Sequence, residues 1–152
     1  MPSGPSLGLV DVNAYRHSSP QVGDIVTFRG LDRWGPGGFN KRVVGLPGDA
    51  FQHAFDQVWR NGEPLVHCMG SVCEAHPAPD VRYAVLGTGW GLPSGASLPQ
   101  AVRVPEGQVY VLGDNLAISG DSRWFGAVPR RAIEGKVVAV VSAAGFKRLG
   151  GT

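Results

Sequence analysis

Charge is scarce in this chain. Charged residues make up 17% of the 152 positions, and 14 basic against 12 acidic side chains leave a formal net charge of +2. No basic run exceeds two residues, so the electrostatic footprint of a nucleic-acid-binding domain is missing and no nucleic acid is expected as a partner. Long apolar runs are missing too: the longest candidate, Val137 to Gly145, is strand length, well short of the roughly 18–20 residues that span a bilayer. Cysteine is limited to Cys68 and Cys73, with no Cys-x-x-Cys and no histidine pair to complete a zinc set, so neither a metal nor another cofactor is expected. As a disulfide the two thiols would close a small ring worth about 2 kcal/mol; the same residues suit a loop with two free thiols. The histidines, His17, His53, His67 and His76, share no spacing with a Ser or Asp motif, which leaves a Ser-His-Asp triad unsupported.

What the chain does have is glycine and proline, 23 and 12 residues. That excess argues against a helical bundle and for short strands joined by many turns. The pattern predicts extended chain at Leu9 to Ala14, and a hairpin made of Ile25–Phe28 and Phe39–Val44. Further strands are expected around Val58, at Val102–Val104, at Gln108–Leu112 and at Lys136–Ser142, with Asn61-Gly62 as a tight turn and one helical turn near 130–134. Residues 66–101 show little periodicity. We therefore expect a mainly β, antiparallel fold in which residues 1–49 and 102–152 build the β core and residues 50–101 form an inserted, smaller second lobe.

Three segments carry candidate chemistry. Strand alternation puts Lys41 on one face with Phe39 and Val43, and Arg42 on the other with Val44. A lysine among apolar neighbours loses hydration, which disfavours its charged form. Acting as a base near neutrality requires a fall from ~10.4 to about 7–8, some ~4 kcal/mol, which burial can supply. The bland alternative is a basic pair whose heads reach water. The second segment, Gly113-Asp114-Asn115-Leu116-Ala117-Ile118-Ser119-Gly120-Asp121-Ser122-Arg123, gathers carboxylates, hydroxyls, an amide and an arginine in one loop, where Asp121 and Arg123 could form an internal ion pair; the bland alternative is a self-braced loop with no chemistry. The third is Pro2-Ser3-Gly4-Pro5-Ser6-Leu7, whose serines become nucleophiles only with a base in reach. Lys41 is the one base candidate in an apolar setting.

Lys-Arg-Val-Val-Gly-Leu-Pro-Gly-Asp (41–49) resembles the lysine box of bacterial type I signal peptidases, and Gly-Asp-Asn-x-x-x-Ser-Gly-Asp-Ser-Arg-Trp-Phe-Gly-x-Val-Pro (113–129) resembles their last signature box. Gly23-Asp24-Ile25-Val26 and Val104-Pro105-Glu106-Gly107 match the approaches to these boxes, in family order. The resemblance implies a serine endopeptidase with antiparallel sheets of the signal-peptidase type and a Ser/Lys dyad. Lys41 would be the general base, Ser119 would orient its amine, Asp121 and Arg123 would brace the loop, and Asp114 and Asn115 would hold its turn. The nucleophile belongs in a Ser-Met-x-Pro-Thr box, of which Gly4-Pro5-Ser6-Leu7-Gly8-Leu9 keeps only part. Ser6 is the choice on this pattern. Ser3 is its rival, and otherwise a source of an oxyanion hydroxyl. Leu116-Ala117-Ile118 stand where Arg-Asp-Asn is usual, and the short spacing from Ser6 to Gly23 is nearer to the conjugation-associated branch.

The expected substrates are signal peptides of exported preproteins, with small residues of the Ala-x-Ala kind before the cut. The expected place is the extracytoplasmic face of the bacterial cytoplasmic membrane, with the family's N-terminal anchor absent from this chain. Trp34, Phe39, Trp124 and Phe125 would either rest on the membrane surface or fill the core. The alternative reading keeps the fold without the chemistry, as a non-catalytic protein that binds peptides or assists pilus assembly.

Overall fold

The computed structural model describes residues 7–30, 38–54, 57–69, 72–75, 82–84, 100–114 and 119–149. Its strands are β1 (Leu7–Asp11), β2 (Ile25–Arg29), β3 (Gly38–Gly45), β4 (Ala50–Ala54), β5 (Gln57–Arg60), β6 (Glu63–Pro64), β7 (Val66–Met69), β8 (Val72–Ala75), β9 (Arg82–Ala84), β10 (Val102–Arg103), β11 (Gln108–Leu112), β12 (Val128–Pro129), β13 (Ile133–Ser142) and β14 (Gly145–Arg148). A single helical turn, α1 (Ser122–Phe125), and a 3₁₀ turn at Arg130–Ala132 complete the described elements. The fold is mainly β, and the strand pairings are antiparallel.

Three sheets form. The largest runs β1-β13-β2-β3-β11-β12, with β14 also paired to β13. A second runs β10-β4-β5-β6, and a third β7-β8-β9. The core of the large sheet follows from alternation in β2 and β3. Val26 and Phe28 point inward and are fully buried, Val43 joins them, and Thr27 and Arg29 point away. Register sets Phe28 against Phe39 and Val26 against Lys41. Lys41 therefore starts from the apolar face of the hairpin. Phe28 and Phe39 stack at 5.5 Å and Phe125 meets Phe28 edge-on at 6.1 Å, so two of the four aromatics considered for a membrane rim belong to the core cluster. Trp124 is 80% exposed, and Trp34 lies outside the described residues.

Two close approaches require glycine, one within the large sheet and one between the first two sheets. At Gly135 an added Cβ would sit 2.6 Å from Val10 Cγ1 and 2.7 Å from Asp11 O, so its lack of a side chain lets β1 lie directly on β13. At Gly45 an added Cβ would sit 2.2 Å from the Phe51 ring, which is buried and stacked on Tyr110 at 4.0 Å and 6°. That stack ties the second sheet to the first. Asp49 reinforces the tie: its carboxylate accepts from Leu46 N–H, Asn61 Nδ2 and Arg60 Nε. Burial works against the charge, but these donors outweigh it and hold the carboxyl below its usual range. Asn61 (φ 52°) and Gly62 (φ 83°) both occupy the left-handed region, as the turn joining β5 to β6 requires.

The structure differs from the sequence expectation where strands are short or weakly patterned. β4 has one strong β-former, Phe51, and is set by its partners β5 and β10. Three strands, β7 to β9, occupy a stretch expected to lack periodicity, and their register places Cys68 opposite Cys73. The first strand begins at Leu7 rather than Leu9, and β14 was not expected.

Gly45→Ala is expected to cost about 1–3 kcal/mol, because the Phe51 ring has nowhere to go. Gly38→Ala in the same strand, with nothing within 4 Å, should stay within about 0.5 kcal/mol. Urea unfolding of the two variants against wild type checks this.

Candidate active site

A cleft of about 440 Å³ opens on the large sheet. Its walls are Gly8 of β1, Ile25 of β2, Asn40, Lys41 and Arg42 of β3, Val137 and Val140 of β13, and Gly113, Asp114 and Ser119 of the loop after β11. Segments far apart in sequence are brought together here because β13 lies between β1 and β2, and β3 lies between β2 and β11.

Lys41 Nζ donates to Ser119 Oγ at 2.9 Å, and Ser119 is itself buried. Among the described residues no carboxylate oxygen comes within 4 Å of this amine. Burial is the main cause that pulls its pKa below the ordinary 10.5; the Asp121 and Asp114 charges oppose the fall, and Arg123 adds to it. Both acids are themselves held by arginines. Asp121 is ion-paired to Arg123 at 2.8 Å, and Asp114 takes two parallel bonds from Arg42, at 3.0 and 3.1 Å. Each negative charge near the amine is thus paired with a guanidinium, and burial prevails over their pull.

Asp121 organises the loop. It is fully buried, and each of its oxygens meets two donors: Oδ1 accepts from the Arg123 backbone N–H and Nε, Oδ2 from Gly113 N–H and an Arg123 terminal nitrogen. The bond to Arg123 N–H makes it the N-cap of α1. Ser122 Oγ accepts from Val111 N–H at 2.9 Å, fastening the same turn to β11. Gly113 faces the centre. A Cβ there would lie 1.9 Å from Ser119 Oγ and 3.4 Å from Lys41 Nζ, so only glycine leaves room for that contact.

The structure brings together Lys41, Ser119, Asp121 and Arg123, and sets Asp114 at the exposed rim with Arg42. Ser3, Ser6 and Asn115 lie outside the described residues. Sequence reasoning passed over Gly113 and Arg42. Glycine at the head of the signature loop was a signal for the first; nothing local pointed Arg42 to a partner 72 positions away.

Comparison with known proteins follows the same lines. The family model described as "Signal peptidase, peptidase S26" matches residues 5–142. The chain is 32% identical over 133 residues to a probable signal peptidase I-1 of Synechocystis sp., covering 84% of this chain and 57% of that protein. It is 33% identical over 135 residues to signal peptidase I V of Bacillus subtilis, covering 85% and 71%. A crystal structure of a signal peptidase I from Enterococcus faecalis aligns over 79% of this chain and 97% of that one, at 25% identity and a TM-score of 0.47. The chain thus spans just under three-fifths of the Synechocystis relative's length.

Asp121→Ala is expected to lose about 3–5 kcal/mol, since it strands the Arg123 charge in a buried place. The pair Asp121→Leu with Arg123→Leu should recover much of that loss, which chemical denaturation reads directly. Lys41 carries a pH signature. Between its lowered folded pKa and 10.5 the unfolded chain binds more protons, so wild-type stability measured against Lys41→Met should rise with pH across that window and be flat below it.

Proposed function

This chain belongs to the signal peptidase family, peptidase S26, and we propose that it is a serine endopeptidase that removes N-terminal signal peptides from exported preproteins through a Ser6/Lys41 dyad. The observation that carries this reading is the half-buried Lys41 amine, bonded to Ser119 and free of any carboxylate contact among the described residues, in a cleft whose wall includes Gly8. Ser6 precedes Gly8 by two residues, a chain span of at most about 7 Å. Ser3 remains the rival nucleophile.

In this mechanism Ser119 accepts one N–H of the neutral amine and so turns its lone pair toward the serine. Lys41 takes the Ser6 proton as Oγ attacks the scissile carbonyl. The tetrahedral oxyanion is held by the Ser6 backbone N–H, with the Ser3 hydroxyl as a second donor. The protonated Lys41 then gives its proton to the leaving amine, and in the second half it activates the water that hydrolyses the acyl-enzyme. The substrate lies extended against a sheet edge; β1 is the end strand of the large sheet, which supports that docking mode. No helix among the described residues is long and apolar enough to cross a membrane. We place the domain at the extracytoplasmic membrane surface, a placement supported by exposed Leu7, Leu9, Trp124 and Phe146.

An Ala-x-Ala signal-peptide reporter tests the reading. Lys41→Ala and Ser6→Ala should each lose at least ~10³-fold in kcat/KM. For wild type, kcat/KM should climb with unit slope as pH rises toward the lowered Lys41 value and level off above it, at a pH below 10.5. Undiminished turnover in Lys41→Ala rules out the base, whereas loss in Ser3→Ala with retention in Ser6→Ala transfers the nucleophile to Ser3.

A further inference from the structure

The strand that leads from both candidate serines into the fold has little of its own to hold it. β1 ends the large sheet, pairs with β13, and has five exposed residues. A strand exposed on both faces has a weakly specified register, because sliding it by two residues remakes the backbone bonds and buries no less apolar surface. Gly135 admits the close approach of β1 but, without a side chain, grips nothing. Among the described residues the chain first becomes buried at Tyr15. There its phenol donates to Asp24 Oδ2 at 2.9 Å, its carbonyl accepts from a terminal nitrogen of Arg130, and the Arg130 guanidinium lies 5.3 Å from its ring centroid. Asp24 is fixed in turn by Lys136 at 2.7 Å and by Gln21 N–H at 3.0 Å. Between anchor and strand the chain is folded tightly: Asn13 N–H donates to Asp11 Oδ1 at 2.9 Å and Arg16 N–H to the Asn13 carbonyl at 3.0 Å.

We propose that Tyr15 is a positioning residue: gripped by Asp24 and Arg130, it stops β1 from sliding along β13 and so sets where the serine ahead of β1 meets Lys41. This inference rests on the peptidase reading and gives that site a residue that acts from outside the cleft. Ser6 and Ser3 both precede β1, so a slide displaces either. The tether lies at the far end of the strand, and it opposes movement toward the chain's start. Such a slide carries Leu9 from its place opposite Ala139 to one opposite Val141, two residues or about 7 Å. A misplacement of only ~1 Å between reacting groups costs on the order of 10²-fold in rate. Neither Tyr15 nor Arg130 lines the cleft, so their effect on turnover passes through the strand.

The test releases the anchor and reads both register and turnover. The release variant combines Tyr15→Leu with Arg130→Met. Both replacements are apolar, and Asp24 keeps Lys136 and Gln21 N–H, so the fold should survive; Tyr15→Leu alone gives a second reading. Tyr15→Phe, the conservative change, should stay within about threefold of wild type. Two cysteine pairs report the register: Leu9→Cys with Ala139→Cys for the native alignment, and Leu9→Cys with Val141→Cys for the slid one, their linked peptides identified by mass after mild oxidation. Without the release changes only the first pair should link. With them the second should link too, and kcat on the Ala-x-Ala reporter should fall about 100-fold. Closing the first pair in the release variant should restore most of that loss, and a reductant should undo the restoration. Linkage of the first pair alone in the release variant overturns the inference, and so does a loss of turnover that the closed pair fails to repair. If cleavage depends on Lys41 while register and turnover ignore Tyr15 and Arg130, the peptidase reading stands and this inference alone falls. If wild type cuts no reporter, or Lys41→Ala cuts as well as wild type, both fall.

Discussion

The site hangs on one buried carboxylate. Asp121 has no contact with water, and it is tolerated there because its two oxygens receive four N–H donors. Desolvating such a charge costs several kcal/mol, and a pair with arginine barely repays it. Net stability is therefore a poor explanation for the pair. Its geometric result is specific: one carboxylate holds Gly113 at the end of β11, starts α1, and fixes Arg123 across the loop, which leaves Ser119 pressed against the space where Gly113 has no side chain. The arrangement spends folding energy on position.

Position in turn decides the charge of Lys41. Two acids close enough to raise its pKa are present, yet burial prevails. Both acids are already bound to guanidiniums, and a salt-bridged carboxylate next to its arginine looks nearly neutral from the amine. Had either arginine been absent, the nearby carboxylate would favour the ammonium form. Arg123 thus acts on the lysine without touching it.

Much of this was legible in the chain. Alternation across Phe39, Lys41 and Val43 gave the lysine its apolar face, and the register opposite Val26 is the same statement in three dimensions. The Asp121–Arg123 pair was readable because its partners are two residues apart. Other features depended on contacts that no window of sequence contains. The Arg42–Asp114 bridge and the Gly113–Ser119 approach arise from strand order, and β4 from its pairing. Four residues of α1 are too few for a helical period to show, so its capping aspartate was read as part of a loop. Strands β7 to β9 carry mixed polar and apolar residues, and their ladder, unlike β2 and β3, has no alternation strong enough to announce it.

The bond between Lys41 and Ser119 spans 78 positions of chain. A contact that remote in sequence closes late in folding, since its loop entropy must be met before it contributes anything. Until then the lysine is hydrated and protonated like any other. A nascent or half-collapsed molecule therefore carries an ordinary hydrated ammonium at this position. The lowered proton affinity of Lys41 is thus a property of the closed sheet, acquired only when the strands around the amine pair.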